Sequence, residues 1–107
     1  MSEFAGTLKE RIIIERPVAL RTEGGLQQPG WEPVARCLAA IVAEGTGAEV
    51  EGMTLSAMPR FRVTIRRRDG IAVGHRIVWG ERAMLAKQRI DDPKQPDRIL
   101  LRCEEMR

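Results

Sequence analysis

The chain has 107 residues, a formal net charge of +3 and two cysteines, which is the size of one small domain. Its composition, 43% hydrophobic and 31% charged, excludes a disordered chain. The longest apolar run, residues 37–43, is far shorter than the roughly 20 residues of a membrane-spanning helix. The first residues lack the basic start and long apolar segment of a signal peptide, so we expect a chain that folds in the cytoplasm.

The first half of the chain predicts two strands. Residues 8–16 (LKERIIIER) carry three consecutive isoleucines and end before a proline, which favours a strand after a flexible segment at 1–7. The glycine and proline content of residues 22–30 predicts a loop. Residues 31–43 show the apolar alternation of a strand, although their alanines would also tolerate a helix; we favour the strand.

A long connection follows the second strand. Residues 44–59 contain three glycines and three glutamates, Glu44, Glu49 and Glu51. The segment exceeds the usual length of about four to six residues for a connection, and loops of this length are often functional or mobile. We therefore treat it as a candidate functional loop.

The clearest alternation lies at residues 60–68 (RFRVTIRRR). Phe61, Val63 and Ile65 alternate with polar residues, which predicts a strand with one buried and one cationic face. The cationic face would carry Arg60, Arg62, Arg66 and Arg68.

Three more strands are expected at residues 76–79, 82–90 and 98–104. Asp69–Gly70 is typical of a type I′ hairpin turn, Gly80–Glu81 of another tight turn, and residues 91–97 of a polar loop. Six strands joined partly by hairpins predict one all-β domain over residues 1–107, a small antiparallel β-barrel or sandwich.

Few residues of the chain are suited to catalysis or metal binding. Cys37 and Cys103 have neither a CxxC spacing nor a nearby histidine, and we interpret them as small buried thiols. The single histidine, His75, is interpreted as a structural or surface residue, and Asp91–Asp92 as turn residues. The sequence predicts no catalytic residue, metal site or cofactor, and a small hydrolase or metal-dependent enzyme is the least favoured function.

The arginine-rich strand has three interpretations. Like charges about 7 Å apart on one face repel unless anions lie nearby. The anions can be acidic residues of neighbouring strands, carboxylates of another subunit, or DNA phosphates, and phosphate binding would make the affinity strongly dependent on salt. Aromatic residues make up only 4% of the chain, which gives little support to base stacking in single-strand binding.

An ordered set of segments extends over residues 8–105. In chain order they are LKERIIIERP, Gly24–Gly25, WEPVA at 31–35, Gly47–Ala48–Glu49, RFRVTIRRRDGI, RIVWGER and LLRCEE. Together they resemble the small head–tail joining proteins of tailed bacteriophages, also called head closure, stopper or head–tail adaptor proteins. Similar proteins occur in prophages and gene transfer agents.

The resemblance implies a small β-barrel with a long loop between strands 2 and 3, and a structural role. Copies would form a homo-oligomeric ring, six- or twelve-fold, below the portal or adaptor ring of the virion. The ring would retain the packaged double-stranded DNA and dock the tail tube or tail terminator proteins. It also implies synthesis in the host cytoplasm, no membrane partner, and an isolated chain that can be monomeric.

We expect Arg60, Arg62, Arg66 and Arg68 to face another subunit or DNA. We expect Glu44, Glu49 and Glu51 to belong to a channel loop, where their charges would repel DNA phosphates. The alternative function is a small β-barrel that binds nucleic acid directly through the arginine-rich face.

Overall fold

The computed structural model describes residues 3–45 and 58–106, and six antiparallel strands in it close into a barrel. Around the barrel the strands follow the order β1-β2-β3-β6-β5-β4, and pairing of β1 with β4 closes the ring. The predicted all-β barrel is therefore confirmed. The strands are β1 Glu10–Arg21, β2 Gln27–Ala43, β3 Arg60–Arg66, β4 Arg76–Trp79, β5 Arg82–Ile90 and β6 Arg98–Glu105.

The first two strands are longer than predicted. Pro17 lies inside β1 instead of ending it, and the last four residues of the expected loop at 22–30 belong to β2, which begins at Gln27. A proline is tolerated in a strand where no partner needs its missing N–H. The segment at 31–43 is a strand, as favoured. A short helix, α1 Glu3–Thr7, replaces the predicted flexible segment.

The prediction of a β3–β4 hairpin at Asp69–Gly70 is wrong. β3 pairs with β2 and β6, and β4 pairs with β1 and β5, so the two strands share no edge. Gly70 has φ +84°, but within the described ranges no residue other than glycine has a positive φ, which excludes a type I′ turn. The connection instead contributes Ile71 to the core, and Arg89 donates a hydrogen bond to the Ile71 carbonyl oxygen.

Both remaining turn predictions are confirmed. Trp79 pairs with Arg82 across a two-residue turn, and Gly80 has φ +60°, the conformation that the first position of a type II′ turn requires. In the polar loop at 91–97, the Asp92 carboxylate accepts a hydrogen bond from the Lys94 N–H at 2.9 Å. Asp92 is thus a turn residue, as interpreted.

The barrel core is built from small aliphatic side chains of all six strands. Phe61, Val63 and Ile65 point inward and are at most 6% exposed, as the alternation of β3 predicts. The Phe61 ring packs edge-to-face on Trp79 with centroids 5.8 Å apart. The other core members are Ile12, Ile14, Ala35, Ala39, Ile71, Ile77, Met84, Ala86, Ile99, Leu101 and Cys103.

Both cysteines are free thiols, as interpreted, but only one is fully buried. Burial raises the pKa of Cys103 to about 12. Cys37 is half-buried; burial raises its pKa as well, and a hydrogen bond from Arg68 partly offsets that effect.

We expect Ile65→Ala to lower the free energy of unfolding by about 2–4 kcal/mol, because Ile65 is completely buried and the truncation leaves a cavity. The measurement is urea denaturation followed by far-UV circular dichroism. Val42→Ala, which truncates a 54% exposed side chain on the adjacent β2, is the control and should change stability by less than about 0.5 kcal/mol. Equal losses for the two variants would contradict the inward packing of β3.

The thiols give a second prediction. At pH 8 roughly one Cys103 in 10,000 is a thiolate, so Cys103 in the folded protein should not react with a thiol reagent, and Cys37 should react slowly. Unfolding in guanidinium should expose both to rapid reaction. The variant Cys37→Ala should therefore have no reactive thiol when folded, and rapid labelling of it would show that Cys103 is accessible.

Candidate functional site

The outer face of β3 carries the predicted cationic side chains. Arg60, Arg62 and Arg66 are exposed and alternate with the buried residues of the strand. Arg68 is exposed but lies beyond the end of β3, so its placement on the strand face was wrong. Just past the end of β3, the Arg67 N–H donates to the Asp97 carbonyl oxygen at 2.8 Å, which extends the pairing with β6 by one hydrogen bond.

The neighbouring strand β6 adds two arginines to this face. Arg62 lies directly opposite Arg102, and Arg66 lies directly opposite Arg98. Like charges in such positions destabilise a sheet unless an anion separates them. Glu44 does so for the first pair, because its carboxylate lies 2.9 Å from Arg62 Nη2 and 3.9 Å from Arg102 Nε.

Other arginines of this face also have acidic or aromatic partners. Arg60 Nε is 3.6 Å from Glu104 Oε2, and Arg98 Nε is 3.0 Å from Asp97 Oδ1. The hydrogen bond from Arg98 holds the pKa of Asp97 below its usual value. The guanidinium of Arg98 also lies 3.8 Å from the centroid of the Phe4 ring, a cation–π contact that attaches α1 to the barrel. Arg60 and Arg98 lie at opposite ends of the paired strands, and each thus has an acidic partner within the chain.

Four arginines on the outer surface have no carboxylate of the described residues within 4.0 Å, although the more distant Asp97 interacts electrostatically with one of them, Arg66. Within the described residues, neither Arg66 nor Arg68 has a carboxylate within 4.0 Å, and the same holds for Arg11 and Arg36 on β1 and β2. Arg66 and Arg68 line a hollow together with Leu38. Of the four arginines selected from the sequence, Arg60 and Arg62 therefore have a carboxylate of the described residues within 4.0 Å, and the other two do not.

A shallow groove adjoins this hollow on the outer face of β4, β1 and β2. It has a volume of about 590 Å³ and contains Ile13, Val78 and the 47% exposed Leu38. In the β1–β2 ladder Arg11 lies opposite Leu38 and Arg36 lies opposite Ile13, so apolar and cationic side chains alternate across the groove. Such a surface is suited to an apolar side chain accompanied by a carboxylate.

The sequence analysis missed an arm formed by residues 16–32. In this part of the β1–β2 hairpin the strands pair only with each other, beyond a bulge at Val34 that marks where they leave the barrel. Leu26 at its tip is 73% exposed. Gly24–Gly25, which we took for part of a loop, was the only local signal of this hairpin tip.

The base of the arm is fixed to the barrel by an ion pair. Arg76 Nη2 lies 2.6 Å from Glu15 Oε1, and both side chains are mostly buried. The same guanidinium lies 4.7 Å from the centroid of the Trp31 ring on the second strand of the arm. Arg76 thus connects β4 to both strands of the arm.

The predicted loop glutamates are only partly described. Glu44 continues the sheet, because its backbone N–H donates to the Arg60 carbonyl oxygen at 2.8 Å, and its carboxylate neutralises arginines. Glu49 and Glu51 lie outside the described residues.

His75 is partly buried and forms a hydrogen bond to the backbone of the preceding loop. Its Nδ1 accepts a hydrogen bond from the Ala72 N–H at 3.4 Å, and burial, together with the charge of Arg16, lowers its pKa. Among residues 3–45 and 58–106, no three His, Cys, Asp or Glu side chains form a group that could hold a metal ion. No helix in the same ranges has the length and apolar character needed to cross a membrane.

Two solved structures share the fold. The solution structure of protein SF1141 from Shigella flexneri 2a superimposes with a TM-score of 0.69 and 23% identity, covering 94% of each chain. A chain of the virion of a native gene transfer agent particle superimposes with a TM-score of 0.66 and 18% identity, covering 92% of this chain and 96% of that one. No curated protein sequence matches.

The sequence itself matches the phage head completion protein family over residues 5–106, which include all six strands, the arm and the groove. The match agrees with the expected resemblance to head–tail joining proteins. The chain belongs to the phage head completion protein family and is a structural virion protein.

Proposed function

We propose that copies of this protein form a ring in the head–tail connector, below the portal or its adaptor. The ring closes the DNA-filled head and provides the surface on which the tail docks. The observation that carries the proposal is the family match over residues 5–106, which accounts for nearly the whole chain. The protein acts by assembly and not by catalysis.

The arginine-rich face contributes to subunit contacts in this proposal. Arg60 and Arg62 already have carboxylate partners, which lowers the positive potential that DNA would meet. Arg66 and Arg68 have none among the described residues, and they lie beside the apolar Leu38. An exposed leucine beside unpaired arginines fits a protein surface with carboxylates better than a row of phosphates. Glu49 and Glu51 are proposed to face the channel, where they would repel DNA.

The ring proposal predicts the behaviour of particles that lack the gene. DNA-filled heads made without this protein should lose DNA and fail to join tails, and addition of the purified chain should restore both properties. Electron microscopy and infectivity or gene-transfer titre measure the outcome. Stable heads that join tails normally without the protein would contradict the proposed function.

The arginine assignment has its own test. The variant Arg66→Glu/Arg68→Glu should weaken addition of the protein to heads by about tenfold or more, because repulsion replaces attraction at the contact. Lys9→Glu/Lys94→Glu, which makes the same change in net charge at two exposed positions, is the matched control and should add normally.

Duplex DNA binding separates subunit contact from the alternative function. We expect no binding of the wild-type chain to a labelled duplex in anisotropy titrations at low salt. Tight binding that weakens steeply with salt and is abolished in Arg66→Glu/Arg68→Glu would instead support a nucleic-acid-binding barrel.

A further inference from the structure

We propose that the tip of the arm of one copy docks into the groove of the next copy around the ring, with Leu26 seated among Ile13, Leu38 and Val78. The inference rests on the proposed function, since it names the two surfaces by which ring subunits join. Two different patches of one chain then meet in a head-to-tail contact, the kind of interface that generates a closed ring.

The arm tip is held in one conformation. The Thr22 N–H donates to the Leu26 carbonyl oxygen at 2.8 Å, and the Gly25 N–H donates to the Thr22 carbonyl oxygen at 3.0 Å. The Leu26 N–H donates in turn to Thr22 Oγ1 at 3.2 Å. A leucine that is 73% exposed on an ordered tip loses little conformational freedom on binding, which favours its use as an anchor.

Charge complementarity identifies a second copy as the occupant. Glu23, three residues before Leu26, has no ion pair among the described residues. The unpaired Arg11 and Arg36 line the groove, and Arg66 lines the hollow that shares Leu38 with it. One chain therefore carries both an apolar residue beside a free carboxylate and an apolar groove with free guanidinium groups.

The contact has to form between molecules. Ile13 in the groove and Leu20 in the arm lie on the same strand, β1, so about 23 Å of extended backbone separates them at 3.3 Å per residue. The ion pair between Arg76 and Glu15 and the ring of Trp31 keep the arm directed away from the barrel. The tip therefore does not reach the groove of its own chain.

The arm would contact the groove through its side chains and not by adding a strand to the sheet of the next copy. Pro17 pairs with Trp31 and Pro29 pairs with Ala19, two steps further along the ladder. A proline fits a ladder at pairs whose N–H groups point away from the partner strand, so each proline removes a donor from one outer edge of the arm. Both edges are thus poor templates for another strand.

The first test compares two exposed apolar residues. Leu26→Asp should reduce the restoration of tail joining in heads that lack the protein by about tenfold or more, because a charge replaces the anchor. Val73→Asp, which makes the same type of change at a 56% exposed residue outside both patches, is the control and should restore joining like the wild type. Circular dichroism verifies that both variants are folded.

A charge exchange tests the partner. Glu23→Arg and Arg36→Glu should each weaken addition to heads, and the variant with both changes should regain most of the loss, since each interface again pairs opposite charges. Failure of the double variant to recover would assign the arm to a different protein and overturn the contact between copies.

Cysteine cross-linking gives a direct readout on assembled particles. Leu26→Cys/Leu38→Cys in a Cys37→Ser background should form, on oxidation, a ladder of disulfide-linked multimers of this chain. Leu26→Cys alone should form no species larger than a dimer.

Wild-type protein that fails to restore heads would refute the proposed function itself. Full restoration by Leu26→Asp, or a cross-link only to another protein, would refute the arm contact and leave the proposed function standing.

Discussion

The barrel is held together by the inward side chains of its strand β3, which are buried in the core. They are Phe61, Val63 and Ile65. β3 pairs on one side with β2, which extends into the arm, and on the other with β6, which connects to β5. Because the core consists mostly of aliphatic and alanine side chains, these inward residues supply a large share of its apolar surface. Loss of their packing would separate the two halves of the sheet, and the outer surfaces would lose their relative positions.

The arginines of the outer surface fall into two groups, those with a carboxylate partner in the chain and those without one. Several arginines of β3 and β6 that would otherwise repel one another form ion pairs within the chain. Their partners are Glu44, Glu104 and Asp97. Around Leu38, Arg67 is paired with Asp91, whereas Arg11, Arg36, Arg66 and Arg68 have no carboxylate of the described residues within 4.0 Å, and apolar side chains lie beside them. Like charges without a nearby carboxylate lower the stability of an isolated chain, and the proposed contact between copies would place a carboxylate beside them.

The sequence predicted strands well wherever the pattern was local. β4 and β5 have the predicted bounds because alternation and the glycine at position 80 mark them directly. The Asp69–Gly70 turn was wrong because the preference of a dipeptide carries no information about the distant strand β6, which takes the place beside β3. The arm escaped notice because its glycine, proline and glutamine residues are typical of a loop. The contact that fixes its base joins Glu15 to Arg76, 61 positions away along the chain.

That contact has a mechanical consequence. The guanidinium of Arg76, on the strand that closes the barrel, contacts both strands at the base of the arm, so it resists rotation of the arm against the barrel. If copies join through the arm as proposed, the direction in which the arm leaves the barrel would act as a wedge angle between successive copies. In the proposed ring that angle would determine how many copies complete the circle, so the contacts of one half-buried arginine would influence the width of its central opening.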